Sequence, residues 1–347
     1  MALISGIQQV GIGCSDASET FTWLRKAFGL NVKIFDDEAK AELMSRYTGG
    51  EVHARRAILA MNMNGGGGAE IWQYTSRTSV GGKKVLWGDY GINAVKFKST
   101  KVEDSYQNIE KNVPCTAPQK CPDGNLSFPV NDAAGNQYQV VNDKSWFKNS
   151  NFMQGGVCGA VIGVSDIDAS IAFYSNGFGL NNVVYDVTGQ FDDLGDEGQG
   201  QTYRRVLLTF DNPYVAPFSR LLGDVQIELI QSLDRKATKA YENRYWGDLG
   251  FIHLCFDVSN MKALKSNLEK HKYQFTVDSG DTFNMGESGG RFAYVEDPDG
   301  TLIEMVETHK IPVLKKLGFY LDLKKRKTGK PLPNWMVSLM GLNKVKD

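Results

Sequence analysis

An internal repeat is the feature that most constrains the fold of this 347-residue chain. The segment VGIGCSDASETFTWLRKAFGL, residues 10–30, recurs as AVIGVSDIDASIAFYSNGFGL, residues 160–180. Four shorter matches follow in the same order: residues 55–59 with 204–208, 69–73 with 227–231, 87–92 with 246–251, and 132–136 with 297–301. A repeat of this extent predicts a duplicated structural unit, in which loop insertions account for the unequal spacing.

Each half also contains a shorter pattern of one apolar strand, a turn, one amphipathic helix and then several strands. In the first module, residues 9–13 read as a strand, and Ser15 or Asp16 can cap the helix that follows. The polar, glycine-rich segment 62–68 predicts a turn before a strand at 69–74. Three apolar residues of the helix fall at helical spacing: Phe21, Leu24 and Phe28. The order is therefore βαβββ.

Three further modules follow the same order. Their predicted elements begin near residue 91 (helix 102–111, last strand 137–141), near residue 157 (last strand 225–231) and at residue 251 (helix 260–270, last strands 292–295 and 302–306). This alternation excludes a doubly wound parallel sheet. We predict an α+β fold in which four βαβββ modules form two curved, mostly antiparallel sheets, or cups, with the helices outside.

The modules predict a division of the chain into four parts. These are a two-module domain at 1–141, a linker at 142–156, a second two-module domain at 157–309 and a basic, amphipathic tail at 310–347. The apolar residues near the end of the tail need cover, so we expect a helix there that docks on its own domain or on a partner subunit. A homodimer is one arrangement that would provide such a partner.

Composition bounds the class of protein. The chain is 41% hydrophobic, and its 39 Lys and Arg balance 40 Asp and Glu, so no global field favours nucleic acid. The N-terminus shows neither a signal peptide nor a membrane span. Five widely spaced cysteines do not resemble a disulfide framework, and we assign no chemistry to Cys115 and Cys121. A cytoplasmic protein with reduced thiols is expected.

The two ends of the repeat carry a family resemblance. The opening at 7–16, Ile-Gln-Gln-Val-Gly-Ile-Gly-Cys-Ser-Asp, and the closing strand at 297–304, Asp-Pro-Asp-Gly-Thr-Leu-Ile-Glu, resemble modules of the vicinal-oxygen-chelate superfamily. That superfamily contains glyoxalases, bleomycin-resistance proteins and extradiol dioxygenases. The resemblance covers about residues 5–308. It implies a metal inside a cup, held by one residue from the first strand and one from the last strand of each of two modules.

Those positions can be located in all four modules. The first-strand positions are Gln9, Ala94, Gly159 and His253, and the last-strand positions are Glu70, Gln139, Glu228 and Glu304. Alanine and glycine offer no side-chain ligand, so the second and third modules are each incomplete. The first and fourth modules together supply Gln9, Glu70, His253 and Glu304, a set similar to that of animal glyoxalase I.

Two pairings of modules remain open at this point. We favour the first module with the fourth, as in fused glyoxalases, because intact and lost positions divide along that pairing. The alternative, first with second and third with fourth, is that of extradiol dioxygenases and would leave Glu228, His253 and Glu304 in one cup. Neither pairing provides the two His and one carboxylate typical of iron oxygenases.

The resemblance implies a function of glyoxalase type. One imidazole, two carboxylates and an amide oxygen suit Zn, Ni, Co or Mn, and Fe less well. We expect a lyase or isomerase that transfers a proton through an enediolate on a small carbonyl compound or its thiol adduct. Glu304 is the first choice of base, with Glu70 as the ligand opposite. The alternatives are a binding protein of bleomycin-resistance type and, with less support, a ring-cleaving dioxygenase.

Further residues are secondary candidates. Cys255 shares the strand face of His253 and, like Glu228, is a candidate for pocket lining. Each of two arginine pairs, Arg55 with Arg56 and Arg204 with Arg205, offers one inward side chain that could meet an anionic substrate.

Overall fold

The computed structural model describes residues 3–149, 152–211, 216–285, 288–314, 319–324 and 329–345. Within these ranges four modules are recognisable, and each begins with a long strand and one helix. No helix in the described ranges is long and apolar enough to cross a membrane.

The bounds of the elements follow the predicted order closely. The helices are α1 (Ala17–Phe28), α2 (Val102–Ile109), α3 (Ile167–Phe178), α4 (Ser219–Leu222), α5 (Met261–Lys270) and α6 (Asn334–Ser338). The strands of the first two modules are β1 (Leu3–Gly13), β2 (Val32–Lys40), β3 (Ala54–Met61), β4 (Gly68–Tyr74), β5 (Gly91–Ser99), β6 (Gln119–Lys120), β7 (Leu126–Asn131) and β8 (Gln137–Asn142). The strands of the third and fourth modules and the tail are β9 (Gln154–Gly163), β10 (Asn182–Gly189), β11 (Tyr203–Thr209), β12 (Gln226–Ser232), β13 (Gly250–Ser259), β14 (Val277–Asp278), β15 (Phe283–Met285), β16 (Ser288–Glu296), β17 (Leu302–Leu314) and β18 (Phe319–Asp322).

The first helix of each half begins and ends by the same local chemistry. The Asp16 carboxylate accepts hydrogen bonds from the backbone amides of Ser18 and Glu19, and Asp166 repeats this at the start of α3. Both helices end at a glycine in the left-handed region, Gly29 with φ 66° and Gly179 with φ 81°. Local sequence therefore fixes where these helices begin and end.

Each sheet combines one module from each half of the chain. In the first sheet, β1 pairs antiparallel with β13, so the first and fourth modules are continuous; we call this the 1–4 sheet. In the second, β5 pairs antiparallel with β9 and joins the second and third modules into the 2–3 sheet. Within each module the first strand pairs in parallel with the last strand. The pairing that we favoured from the sequence is confirmed, and so is the α+β class with two curved sheets.

The main core lies between the sheets and the helices. Phe28 of α1 stacks on Phe97 of the second module with ring centroids 4.0 Å apart, and Phe178 of α3 stacks on Phe256 of the fourth at 5.0 Å. α1 therefore packs against the second module and α3 against the fourth. In each case the strands of the module that contains the helix belong to the other sheet. The division into two domains at 142–156 stays a prediction; β9 already begins at Gln154, inside the predicted linker.

The described part of the tail lies on its own chain. Leu332 and Val337 are buried in a cluster with Met61, Leu221 and Leu222. The backbone amide of Val345 donates to the carbonyl of Asn31, so the end of the tail is attached to the first module. Trp335 and Leu342 remain exposed.

Candidate metal centre

The four predicted ligand positions of the first and fourth modules come together on the concave face of the 1–4 sheet, which we call the 1–4 cup. β1 and β13 lie side by side at its centre, and β4 and β17 flank them. The register places Glu70 beside Gly11 and Glu304 beside Cys255, two residues along from Gln9 and His253 respectively. Because alternate residues of a strand share a face, all four side chains enter the same cup.

The donor atoms lie close to one another. Nε2 of His253 lies 2.9 Å from Oε2 of Glu304 and 3.5 Å from Oε2 of Glu70. The amide nitrogen of Gln9 donates to Oε2 of Glu70 at 3.1 Å and to Oε2 of Glu304 at 3.3 Å. Atoms of the two carboxylates and the imidazole that could ligate a metal lie within 4.8 Å of one another. Such convergence is the geometry that a single divalent ion requires.

Two features of this cluster indicate that its residues fit a cation. Oε1 of Gln9 is buried without a hydrogen-bond partner, and Nε2 of His253 faces the oxygens of two carboxylates. A buried polar atom without a partner costs about 1–3 kcal/mol, so such atoms usually mark an unfilled role. An amide oxygen, a neutral imidazole nitrogen and two carboxylates are together a donor set for Zn²⁺ or a similar ion.

The electrostatics of the cluster favour proton or metal uptake. Burial and the neighbouring Glu304 carboxylate raise the pKa of Glu70 to about 7 from an ordinary 4.5. Burial alone would lower the pKa of His253, but attraction to Glu304 and Glu70 outweighs it and the pKa is raised. Two carboxylates this close repel each other unless a positive charge lies between them.

Metal affinity should therefore depend on pH. Below pH about 7 an incoming ion must displace the proton of Glu70, so we expect the apparent affinity to rise about tenfold per pH unit from pH 5 to 7, or more steeply if His253 also releases a proton. Without metal, the free energy of unfolding should change in the opposite direction. Because the pKa of Glu70 is raised in the folded chain, the fold loses stability as the pH rises from 4.5 towards 7. Calorimetric titration with Zn²⁺ in buffers of different ionisation enthalpy measures the released protons. Affinity independent of pH over this window would contradict the prediction.

Aromatic side chains cover the cluster. The Trp246 ring lies nearly parallel to the His253 ring with centroids 6.3 Å apart, and Trp72 meets Trp246 edge-on at 4.5 Å. The Tyr294 hydroxyl lies 3.4 Å from Nδ1 of His253 and is the partner that orients the imidazole. The side chains of Glu70 and Glu304 keep only 14% and 8% of their surface exposed. Access to the cluster is therefore narrow.

Sequence reasoning missed one residue that makes room for the imidazole. Gly11 lies opposite His253 in the sheet, and a Cβ at Gly11 would lie 2.4 Å from Cε1 of the His253 ring. In the 2–3 sheet the equivalent pair is Val161 opposite Ala94. Comparison of the two repeats shows this exchange. Gly11 is small where His253 is large, and in the 2–3 sheet the residue in the position of Gly11 is the larger of the pair.

The concave face of the 2–3 sheet, the 2–3 cup, contains charges of its own. Glu228 accepts from Nε of Arg205 at 2.6 Å and from Nζ of Lys96 at 2.7 Å. Arg205 also binds both oxygens of Asp193, at 2.6 and 2.8 Å. Burial raises the pKa of Glu228, but the two cations outweigh it and lower the pKa to about 2. An ammonium and a guanidinium thus neutralise the carboxylate that occupies the position of Glu70.

The other residues of this cup follow from the same register. Lys96 lies opposite Gly159, in the position that Cys255 occupies opposite Gln9 in the 1–4 sheet. Gln139 donates to the hydroxyl of Ser127 at 3.1 Å. Lys96 was not a candidate in the sequence, because it appeared there only as one charged residue in an apolar strand.

The secondary candidates are placed as follows. Cys255 is completely buried beside Glu304, in the same cluster as Trp72 and Trp246, and all five cysteines are free. Arg205 is the inward member of its pair, and Arg204 forms exposed ion pairs with Asp186 and Asp168. Arg55 bonds to Asp37 at the mouth of the 1–4 cup.

Comparison with known proteins agrees with this architecture. Residues 160–294 match the family described as the glyoxalase/bleomycin resistance protein/dioxygenase superfamily. Glyoxalase I from Zea mays shares the fold with a TM-score of 0.52 at 12% identity, over 87% of this chain and 92% of that one. A putative dioxygenase from Bacillus subtilis subsp. subtilis str. 168 does so with a TM-score of 0.57 at 13% identity, over 88% and 86%. None of the curated protein sequences matches the chain significantly.

These findings define the class of protein. The repeat, the two curved sheets and the match of residues 160–294 show that the chain has the fold of the glyoxalase/bleomycin resistance protein/dioxygenase superfamily, with two βαβββ modules in each sheet. Within that class, its particular features are one cup with a converged Gln, Glu, His, Glu set and one cup with a buried ion network.

Proposed function

We propose that the chain is a glyoxalase-like lyase or isomerase that binds one divalent ion in the 1–4 cup and transfers a proton on a small carbonyl compound or its thiol adduct. The observation that carries the proposal is the convergence of Glu70, His253 and Glu304 within 4.8 Å, with an unpartnered amide oxygen on Gln9 beside them. Zn, Ni, Co or Mn suits this set better than Fe, because it contains one imidazole and not two. A cytoplasmic location and a small-molecule substrate belong to the same proposal.

Each residue has a distinct proposed role. Gln9, Glu70, His253 and Glu304 would hold the ion, with the amide oxygen of Gln9 as the donor. The ion would supply Lewis-acid stabilisation to the enediolate that proton removal generates. Glu304 would remove and return the proton, and the Glu70 carboxyl, with a pKa of about 7, has the basicity that suits the same task near neutral pH.

The narrow access favours a small substrate. Only the outer edges of Glu70 and Glu304 reach solvent, and Trp246 and Trp72 close the cup above His253. Sequestration of a large aromatic molecule, the alternative function, would require these rings to move. In the 2–3 cup, the network of Arg205, Glu228 and Lys96 occupies the space around the equivalent carboxylate.

Metal analysis tests the proposal. Protein purified without chelator should contain about one equivalent of divalent metal, and the His253→Ala and Glu304→Gln variants should lose most of it. His309→Ala is the matched control, because His309 pairs with Glu307 at 3.0 Å on the same strand as Glu304 but outside the ligand set. Glu304→Gln should also abolish proton exchange into small hydroxycarbonyl compounds in D₂O, followed by NMR. Full metal content in a variant that combines His253→Ala and Glu304→Gln would exclude these residues as ligands.

A further inference from the structure

Arg244 is a partly buried guanidinium that has no carboxylate among its hydrogen-bond partners in the described part of the chain. Its Nη1 donates to the carbonyl of Leu249, and its Cζ lies 4.4 Å from the centre of the Tyr241 ring. Its Nε is buried without an acceptor. Burial lowers the pKa of Arg244, the direction expected for a cation that has lost water and gained little in return. Within the described ranges, Arg244 forms no salt bridge.

Arg244 lines a cavity of about 370 Å³ that lies outside both cups. The cavity lies where β5 and β13 begin, between the loop at 81–85, the turn at 133–136 and the segment 240–251. Its polar walls are formed by Arg244, Lys83, Lys84, Asn93, Asn136 and Gln137. A volume above about 300 Å³ is typical of sites for small organic ligands. We call it the Arg244 cavity.

The positive charge of this cavity is only partly compensated. Lys84 bridges to Glu197, but Lys83 is exposed and has no ion pair among the described residues. An adjoining cavity of about 130 Å³ is lined by two acidic residues, Asp89 and the exposed Glu242. One lysine and one guanidinium are thus left for a ligand.

The nearest other carboxylates are already neutralised. Asp89 accepts from Arg235 at 2.8 Å, and Asp248 accepts from Arg77 at 2.7 Å. Asp248 also accepts from the backbone amides of Val80 and Tyr245, so both of its oxygens are hydrogen-bonded. Neither is free to turn towards Arg244.

The loop that carries Lys83 and Lys84 packs against the guanidinium of Arg244. A Cβ on Gly82 would lie 2.7 Å from Cζ of Arg244, so the loop approaches the guanidinium closely, and a larger residue at this position would displace the guanidinium. The Gly-Gly-Lys-Lys sequence at 81–84 therefore combines close approach with two cations.

We propose that the Arg244 cavity binds a small organic anion through a phosphate or carboxylate group, with Arg244 and Lys83 as the main contacts. A planar guanidinium with free donors binds either group by two parallel hydrogen bonds, and the adjacent ammonium adds a second charge. The site is separate from the proposed metal centre and does not depend on the proposed function.

Calorimetric titration with inorganic phosphate and with acetate, at constant ionic strength, tests this inference. Both titrations use the Glu304→Gln background, so that binding to a metal in the 1–4 cup does not contribute. We expect phosphate to bind saturably. Arg244→Gln should weaken this binding at least about tenfold, because it removes a hydrogen-bonded charge pair. Lys83→Gln, a change at an exposed side chain, should weaken it about two- to fivefold.

The control is Arg220→Gln, because Arg220 is an exposed arginine that bonds to Asn334 far from the cavity; binding should be unchanged. Tighter binding of phosphate than of acetate would identify a phosphorylated ligand, and the reverse a carboxylate. If neither anion binds saturably, or if Arg244→Gln and Lys83→Gln bind as the parent does, the inference is overturned. The Lys83 variant keeps the test decisive if Arg244→Gln fails to fold.

Discussion

Replacement of Arg205 by methionine should lower the free energy of unfolding by about 3–5 kcal/mol, because it leaves the buried Asp193 without its cation and Glu228 with Lys96 alone. Both carboxylates are almost completely buried. An unpaired buried charge loses its hydration without compensation, and this outweighs the apolar surface that methionine contributes. Equilibrium urea denaturation followed by fluorescence measures the difference.

The neighbouring Arg204 provides the matched control. Its side chain points to the opposite face of β11 and forms exposed ion pairs with Asp186 and Asp168, so Arg204→Met should cost at most about 1 kcal/mol. Equal losses in the two variants would show that the 2–3 cup is not held together by its internal charges. A metal bound in that cup would produce the same result, since it would replace the lost cation.

Saturating metal should raise the free energy of unfolding of the parent protein by about 4 kcal/mol when the free ion is at about a thousand times its dissociation constant. The ion binds only the folded chain, because its ligands come from the two ends of the sequence, Gln9 and Glu70 at one and His253 and Glu304 at the other. Added chelator should reverse the gain. Thermal and urea unfolding with Zn²⁺ or Mn²⁺, with and without chelator, measure both effects.

Two variants separate the two cups in this experiment. His253→Ala should remove the stabilisation by metal, and Arg205→Met, although less stable, should retain it in full. If His253→Ala were stabilised as much as the parent, the metal would lie elsewhere and the proposed function would lose its basis. If Arg205→Met alone lost the effect, the metal would belong to the 2–3 cup.

Much of the local structure followed from the sequence. The Asp16 cap, the helices α2 and α5 and the strands β8 and β12 agree with the expected elements within about two residues, and β13 begins one residue before its expected position. Each first-strand position lies seven residues before the N-cap of the helix that follows, as Gln9 does before Asp16. Such a count works because a strand rises by a constant distance per residue and its side chains alternate. Their catalytic roles stay a prediction.

Other features could not be derived in this way. Gly11 gains its importance only from the residue across the sheet, and the repeat match of 246–251 with 87–92 does not reveal that Trp246 contacts His253. Lys96 is one residue in an apolar strand until Glu228 is placed 2.7 Å from its ammonium group. Each depends on contacts between segments distant in sequence.

The sequence by itself determined the four modules, the order of their elements and the residues that face each cup, because these depend on local periodicity and on capping chemistry. Only the tertiary structure decided that β1 pairs with β13 and β5 with β9. The edges of strands present similar backbone donors and acceptors, so which edges meet is decided by packing over the whole chain. That choice brings His253 to Gln9 in one cup and Lys96 to Glu228 in the other.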